Sequence, residues 1–453
     1  MKRSFIAISG MAMAFVALNS YAAVSADQAA KLGESLTPMG AERAGNQDGS
    51  IPAWTGGLRV DSGSVSASGH LSDPFAGQSP LFTITAQNVE QYRDKLSEGQ
   101  LAMFKRYPQS FKMPVYATQR TATVPASVEQ AIKQNAVSTA LAEGGNGLRE
   151  FSTAVPFPIP QNGLEVLWNH IGRYRGGSIK RTIMQTAPHA NGQYVPVTMN
   201  QWFTYRDHVK EFDPANPGNV LFYYMQTITS PARLSGNVLL VHETLDQVAE
   251  PRKAWIYTAG QRRVRRAPQV AYDGPSPGSE GQVVADNVDM YNGSPDRYDW
   301  KLLGKQELYI PYNAYKLESP TLKYSEIIKP GHINSDLTRY ELHRVWVVEA
   351  TLKQGERHIY AKRKFYIDED SWQISVVEHY DARGTLWRVG EGFMTQLYDK
   401  AIPWLSVSTL YDLQNGRYMV SGLRNEERSK VDFGAVSSSA EYTPSALRKV
   451  GIR

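Results

Sequence analysis

The chain has 453 residues, a formal net charge of +5, 21% charged and 11% aromatic residues, and no cysteine. Without cysteine there can be no disulfide, thiolate metal site, cysteine nucleophile or lipid-modified bacterial lipoprotein anchor. The aromatic and charged content excludes wholesale disorder, and so mild a charge excess implies no polyanion partner.

Lys2 and Arg3 precede an uncharged apolar run from Phe5 to Leu18, and Ser20-Tyr21-Ala22 supplies the small residues a signal peptidase reads. The sequence therefore predicts a signal peptide over 1–22, cleaved after Ala22. That run is shorter than the roughly 20 residues that span a bilayer, and none later is as long, so no transmembrane helix is expected. The expected location is the periplasm, which also excludes nucleic acid as a partner.

Residues 23–82 are rich in Gly, Ser and Ala, with turns at Thr37-Pro38, Ile51-Pro52 and Gly56-Gly57, and predict an extended N-terminal arm. Helices are predicted from Thr85 to about Arg106, from Pro125 to Leu141, and from Gly163 to Tyr174 with Leu164, Leu167, Trp168 and Ile171 at helical spacing. The last of these should pack on a sheet. Strands follow at 194–204, 220–229 and 236–244, and Pro and Gly break the pattern over 272–299, which predicts a long surface loop.

The strongest periodicity lies further on. In Tyr340–Leu352 the residues Tyr340, Leu342, Trp346, Val348, Ala350 and Leu352 share one face, with Glu341, His343, Glu349 and Thr351 on the other. The run 358–368 alternates Ile359, Ala361, Phe365 and Ile367 against polar residues, and 372–380 places Trp372, Ile374, Val376 and Tyr380 on one face. Turns at 353–356 and 381–384 join these runs into an antiparallel meander. The fold class expected is mainly β with α: a large curved antiparallel sheet with helices in or across its concave side. Tyr340, Leu342, Trp346, Val348, Phe365, Ile367, Trp372, Ile374 and Val376 are then the candidate lining of an apolar cavity.

Constellations for chemistry are weaker. Gly274-Pro275-Ser276-Pro277-Gly278 has nucleophile-elbow spacing but lacks the helix such an elbow needs, so it reads as a Pro/Gly loop. His343, His358 and His379 fall on runs predicted to be neighbours; they read as solvated residues on the outer side of the sheet. Asp286, Asp289, Asp296 and Asp299 lack calcium-loop spacing and read as solvated loop carboxylates. No metal and no cofactor is expected. Arg262, Arg263, Arg265 and Arg266 follow the strand-like Lys253–Thr258; they are candidate contacts for an anionic headgroup or a partner, or else the charges of a protected edge strand.

Leu36-Thr37-Pro38, Gly40-Ala41-Glu42, Ala44-Gly45-Asn46, the run Ile51 to Gly57, Trp168-Asn169-His170, and residues 255–266, 291–300 and 339–388 together resemble a bacterial family catalogued as domain of unknown function 1329. That family is similar in fold to the lipoprotein-sorting proteins LolA and LolB, whose incomplete β-barrel wraps a helical plug and holds acyl chains. The resemblance implies a half-open barrel domain over 83–453, including helices within 83–175 and the loop 272–299. It also implies handling of a lipid or other hydrophobic molecule, with an RND-type exporter, an outer-membrane protein and transient membrane contact as partners, and no catalytic residues. The chain departs from those carriers in its length, its arm and its extra loops. Two other readings stand beside the carrier: a non-binding scaffold of an envelope transport complex, and a lipid or glycan hydrolase.

Overall fold

The structure, a computed structural model, describes residues 23–451; the predicted signal peptide lies outside them. Two short strands, β1 (Phe82–Ile84) and β2 (Met113–Tyr116), precede a small separate hairpin of β3 (Ala140–Leu141) and β4 (Leu148–Arg149). A first meander follows: β5 (Ser178–Thr186), β6 (Val197–Tyr205), β7 (Val220–Ser230), β8 (Val238–Thr244), β9 (Lys253–Thr258) and β10 (Arg263–Arg266). The second comprises β11 (Tyr298–Pro311), β12 (Tyr340–Leu352), β13 (Lys362–Asp368), β14 (Ile374–Tyr380), β15 (Leu386–Leu397), β16 (Ile402–Asp412) and β17 (Tyr418–Leu423), before a short β18 (Asp432–Phe433).

The meanders join edge to edge where β17 pairs antiparallel with β5, Val420 opposite Thr186. The pair β1–β2 docks in parallel on the start of β12, with Tyr340 opposite Val115. Among the described residues the outer strands β10 and β11 do not pair with each other, so this mostly antiparallel sheet stays open. No described helix is long and apolar enough to cross a membrane.

The helix Gly163–Gly172 sets the shape. Asn162 caps it, its Oδ1 accepting from Glu165 N at 3.0 Å. Val166, Leu167, Trp168 and Ile171 then pack in one core with Val348, Phe365 and Ile374 of the second meander and with Tyr205 and Phe222 of the first. Strands distant in sheet order thus share one core, which requires the sheet to curl round the helix. At Gly163 a Cβ would lie 3.1 Å from the backbone of Lys301 and Leu302 and 3.2 Å from Val348 Cγ1, so glycine lets the helix start seat against β11 and β12.

Several expectations change. The helix predicted from Thr85 to Arg106 is two elements, a 3-10 turn Val89–Lys95 and an α-helix Glu98–Arg106. Ser97 and Gln100 form a capping box between them, which starts a helix and so interrupts the earlier one. Strand β13 begins at Lys362 rather than near 358. Its pairing with β14 shifts between Tyr366 and Ile367, setting Tyr366 opposite Val376 but Ile367 opposite Ile374. That bulge breaks the alternation: Ile374 joins the helix-side core, whereas Val376 joins Val345, Val347 and Tyr366 in another cluster. Strands β5 and β11 carry no expectation from the sequence; both mix charged residues among apolar ones.

Residues 272–299 are not a surface loop. Ser279, Asp286, Met290 and Tyr291 are buried, and Tyr291 packs on Phe365 with ring centroids 5.5 Å apart. The segment lies inside the curl as a plug. The N-terminal arm likewise lies on the body: Leu32, Met39, Ile51 and Trp54 are buried, and Trp54 Nε1 donates to Ala122 O at 3.1 Å.

Candidate functional site

A cavity of 230 Å³ lies between the inner face of β5–β8, strands β16–β17 and the plug. Period-2 alternation builds its main wall. Ile179 and Arg181 of β5, Gln201 and Phe203 of β6, Phe222, Tyr224 and Gln226 of β7, and Leu239, Val241 and Glu243 of β8 all line it. Their registers place Arg181 opposite Gln201, Phe203 opposite Tyr224, and Tyr224 opposite Val241, so one pleat face looks inward. Leu405, Leu410 and Met419 close the far side, and Val270, Val283 and Met290 come from the plug side.

A polar line crosses this apolar wall. Arg181 Nε donates to Gln201 Oε1 at 2.9 Å, Gln201 Nε2 donates to Tyr224 Oη at 2.8 Å, and Tyr224 Oη donates to Gln226 Oε1 at 2.5 Å. Each side chain is thereby oriented by its neighbour. The Arg181 guanidinium also lies over the Trp404 ring, 5.0 Å from its centroid. Burial pushes its pKa down to about 10, so it remains a cation at neutral pH.

The other charged groups of the wall are paired. Asp289 in the plug bonds Arg173 at 2.8 Å and Arg175 at 2.6 Å. Burial alone would raise this carboxyl, but the two guanidinium groups hold it well below the usual range. Asp289 and Met290 both adopt positive φ, 56° and 70°, a conformation that non-glycine residues keep only where surrounding contacts fix it. His170 secures the same segment: its Nε2 donates to Asp289 O at 2.8 Å and its Nδ1 accepts from Ile374 N at 3.2 Å. Burial, with Arg173 nearby, pushes its pKa to about 3, so it is neutral in these roles. Arg252 and Glu243 pair at 2.8 Å, with Asn292 Nδ2 donating to the same carboxylate at 2.8 Å.

None of the nine apolar residues proposed from the sequence lines this cavity. Val348, Phe365, Ile367, Trp372 and Ile374 are packed against the helix Gly163–Gly172 and the plug, with Trp346 half-buried at the rim over Trp372. Tyr340 and Leu342 belong to a second packed cluster with β15–β17 and the N-terminal helices, and Val376 to a third. Arg262, Arg263, Arg265 and Arg266 are exposed on and beside β10, the outermost strand of its meander, and do not reach the cavity. The lining that is present is masked in the sequence because Lys180 and Arg181 interrupt the apolar pattern of β5. The signal available was the inward set Phe203, Phe222, Tyr224, Leu239 and Val241 on β6–β8.

The histidines are not solvated. His343, His379 and the His358 side chain are buried; His358 and His379 both pack against Tyr360, their ring centroids 5.4 and 4.1 Å from it, whereas His343 stacks on Tyr312. His358 and Arg363 flank buried Asp286 at 3.1 and 2.7 Å. Burial would raise Asp286, but Arg363 and His358 outweigh it and hold the group at about 2. Asp286 and Asp289 are thus structural ion-pair members rather than solvated loop carboxylates, whereas Asp299 is exposed as expected.

His343, Asp368 and Asp370 bring ligand atoms within 4.8 Å of one another, a spacing open to a metal ion. Arg120 already spans both oxygens of Asp370, at 2.7 and 2.9 Å, and supplies positive charge there. Arg344 and Lys305 pair with the neighbouring Glu369 and Arg339 with Glu341, so the cluster reads as an ion network tying the arm to β12. A wider trough of 620 Å³ lies between the arm and β2. Its charged group is the same Arg120, whose donors are committed to Asp370 and to carbonyls of the arm. The cavity with the mostly apolar wall is therefore the stronger candidate.

A protein of Pseudomonas aeruginosa, described only as uncharacterized, is 64% identical over 443 residues, covering 98% of this chain and 97% of that one. Among solved structures, a Vibrio parahaemolyticus domain assigned to outer membrane lipoprotein sorting is 17% identical, covering 63% of this chain and 98% of that one, with a TM-score of 0.44. A DUF1329 protein from Desulfovibrio piger is 14% identical over 60% and 92% of the two chains, TM-score 0.42. A LolA superfamily protein from Nitrosomonas europaea is 13% identical over 63% and 98%, TM-score 0.37. The profile described as "Protein of unknown function (DUF1329)" matches residues 83–448, which takes in every strand of the sheet but the first residue of β1, and the chain belongs to that family.

Proposed function

We propose that this protein binds and carries a lipid or other hydrophobic molecule in the periplasm, without chemistry of its own. The observation that supports this best is the 230 Å³ cavity, walled by Phe203, Phe222, Leu239, Val241, Leu405 and Met419 and bordered by the plug. Each methylene buried there gains about 0.8 kcal/mol, so even a short alkyl segment would be held. Ser276 of the Gly-Pro-Ser-Pro-Gly run also borders the cavity, but no histidine hydrogen-bonds to its hydroxyl among the described residues, which favours binding over hydrolysis. An RND-type exporter and an outer-membrane protein are the partners we propose for delivery.

Filling of the curl beneath Trp346, Phe365 and Trp372 favours a second reading, a scaffold of an envelope complex. The test is organic extraction and mass spectrometry of protein purified from periplasm without detergent, against an unrelated exported control. A stoichiometric, specific lipid is expected. A folded protein that is lipid-free after export, and that takes up no alkyl probe, would end the carrier reading in favour of the scaffold.

A further inference from the structure

Arg181 differs from the other arginines of the cavity wall. Arg173 and Arg175 hold Asp289, and Arg252 holds Glu243, so each is neutralised in place. Arg181 makes no ion pair among the described residues. Its Nε is used by Gln201, while its Nη1 is buried without any hydrogen-bond partner. A buried, unpaired guanidinium donor costs free energy that a resident anion would recover, and guanidinium geometry suits a planar or tetrahedral oxyanion. The surroundings sort by polarity. Gln201, Tyr224 and Gln226 form the hydrogen-bonded line that starts at Arg181, while Phe222, Leu239 and Val241 extend the wall away from it across β7 and β8.

We propose that Arg181 is the headgroup anchor of the cavity, and that the cargo is an amphiphile with one acidic head, a carboxylate or phosphate monoester, on an alkyl chain. The head sits at Arg181 under the Trp404 ring, and the chain runs along the apolar wall toward Leu239 and Val241. This rests on the carrier reading and narrows it. A neutral lipid would leave the Arg181 donor unpaired, and a free anion would leave the apolar wall empty.

The experiment uses the mature chain, stripped of lipid, in calorimetric titrations with dodecanoic acid, dodecyl phosphate, dodecanol and inorganic phosphate at pH 7.5. The acid-headed probes are expected to bind at least about tenfold more tightly than dodecanol, and inorganic phosphate far more weakly than either. In Arg181→Gln the acid advantage should vanish while dodecanol binding persists, and the exposed-surface control Arg233→Gln should match the wild type. Because the acid-to-alcohol ratio is read in the unmodified protein, the inference can fail even if Arg181→Gln does not fold. Equal affinities for acid and alcohol would overturn the anchor and leave the carrier standing. Inorganic phosphate binding as tightly as dodecyl phosphate would overturn it as well, and no binding of any alkyl probe would remove both readings together.

Discussion

At the scale of single residues, paired charges make the sharpest demands. Asp289 faces two buried arginines, so Asp289→Asn leaves Arg173 and Arg175 without their counter-ion, and a loss of about 3–5 kcal/mol is expected in urea denaturation. A loss below about 1 kcal/mol would mean that the pairs are solvated. Val348 lies in the packed core 3.2 Å from where a Cβ on Gly163 would stand. Val348→Arg should therefore abolish folding rather than selectively remove a ligand. A variant with a normal circular-dichroism melt and lost lipid binding would instead place Val348 on a cavity surface. Alternation along β12 was legible because Tyr340, Leu342, Trp346, Val348 and Ala350 mark one face as apolar, although Arg344 interrupts that face and Val345 and Val347 interrupt the polar one. What Val348 packs against was not, since a run of apolar residues reads the same whether a helix or a ligand covers it.

At the scale of elements, the helix Gly163–Gly172 and the plug divide the interior between them. Leu167 is fully buried in the shared core, so Leu167→Ala should cost about 2–5 kcal/mol. If that change shifted the midpoint by less than the error of the melt, the sheet would not depend on the helix to hold its curl. The helix was readable from Leu164, Leu167, Trp168 and Ile171, and the meander β12–β15 from its turns. The plug reads as a loop in sequence because Pro, Gly and Asp normally mark solvated loops, whereas here Asp286 and Asp289 are carried inside by Arg363, Arg173 and Arg175, partners more than seventy residues away in sequence for Asp286 and over a hundred for Asp289. Strand β5 is not legible in sequence because Lys180, Arg181 and Gln185 interrupt its apolar residues, and one of those interruptions is the group that distinguishes the cavity.

At the scale of the whole molecule, buried titratable groups set an acid response. Below pH 6.5 the unfolded chain protonates His170, which the fold holds neutral down to about pH 3, so this group's contribution falls as pH drops through that window. Glu391 works in the opposite direction. Burial raises it from 4.5 to about 7, outweighing the Tyr340 hydroxyl, 3.1 Å away, and the Gln100 side chain, which both act to lower it. A group that binds its proton more tightly when folded favours the fold at low pH and loses that contribution as pH rises from about 4.5 to 7. The stability of Glu391→Gln relative to the wild type should therefore improve across that window, by up to about 1.4 kcal/mol per pH unit. A difference flat with pH in denaturant titrations at pH 4.5, 5.5, 6.5 and 7.5 would show that Glu391 is ionised in the folded protein throughout.

The seam between β17 and β5 carries a kinetic consequence. Arg181, Phe203 and Val241 come from the first half of the sheet, while Trp404 and Met419 come from strands made more than 150 residues later. A chain that emerges from its N-terminus can complete the hairpins β5–β10 early, yet their inward face stays open until β16 and β17 arrive and dock. Such long-range pairing is slow, and an unfinished greasy sheet is prone to associate with others of its kind. The cavity is thus among the last features this chain completes, and the interval before its wall is assembled is when the unfinished sheet is most exposed to association.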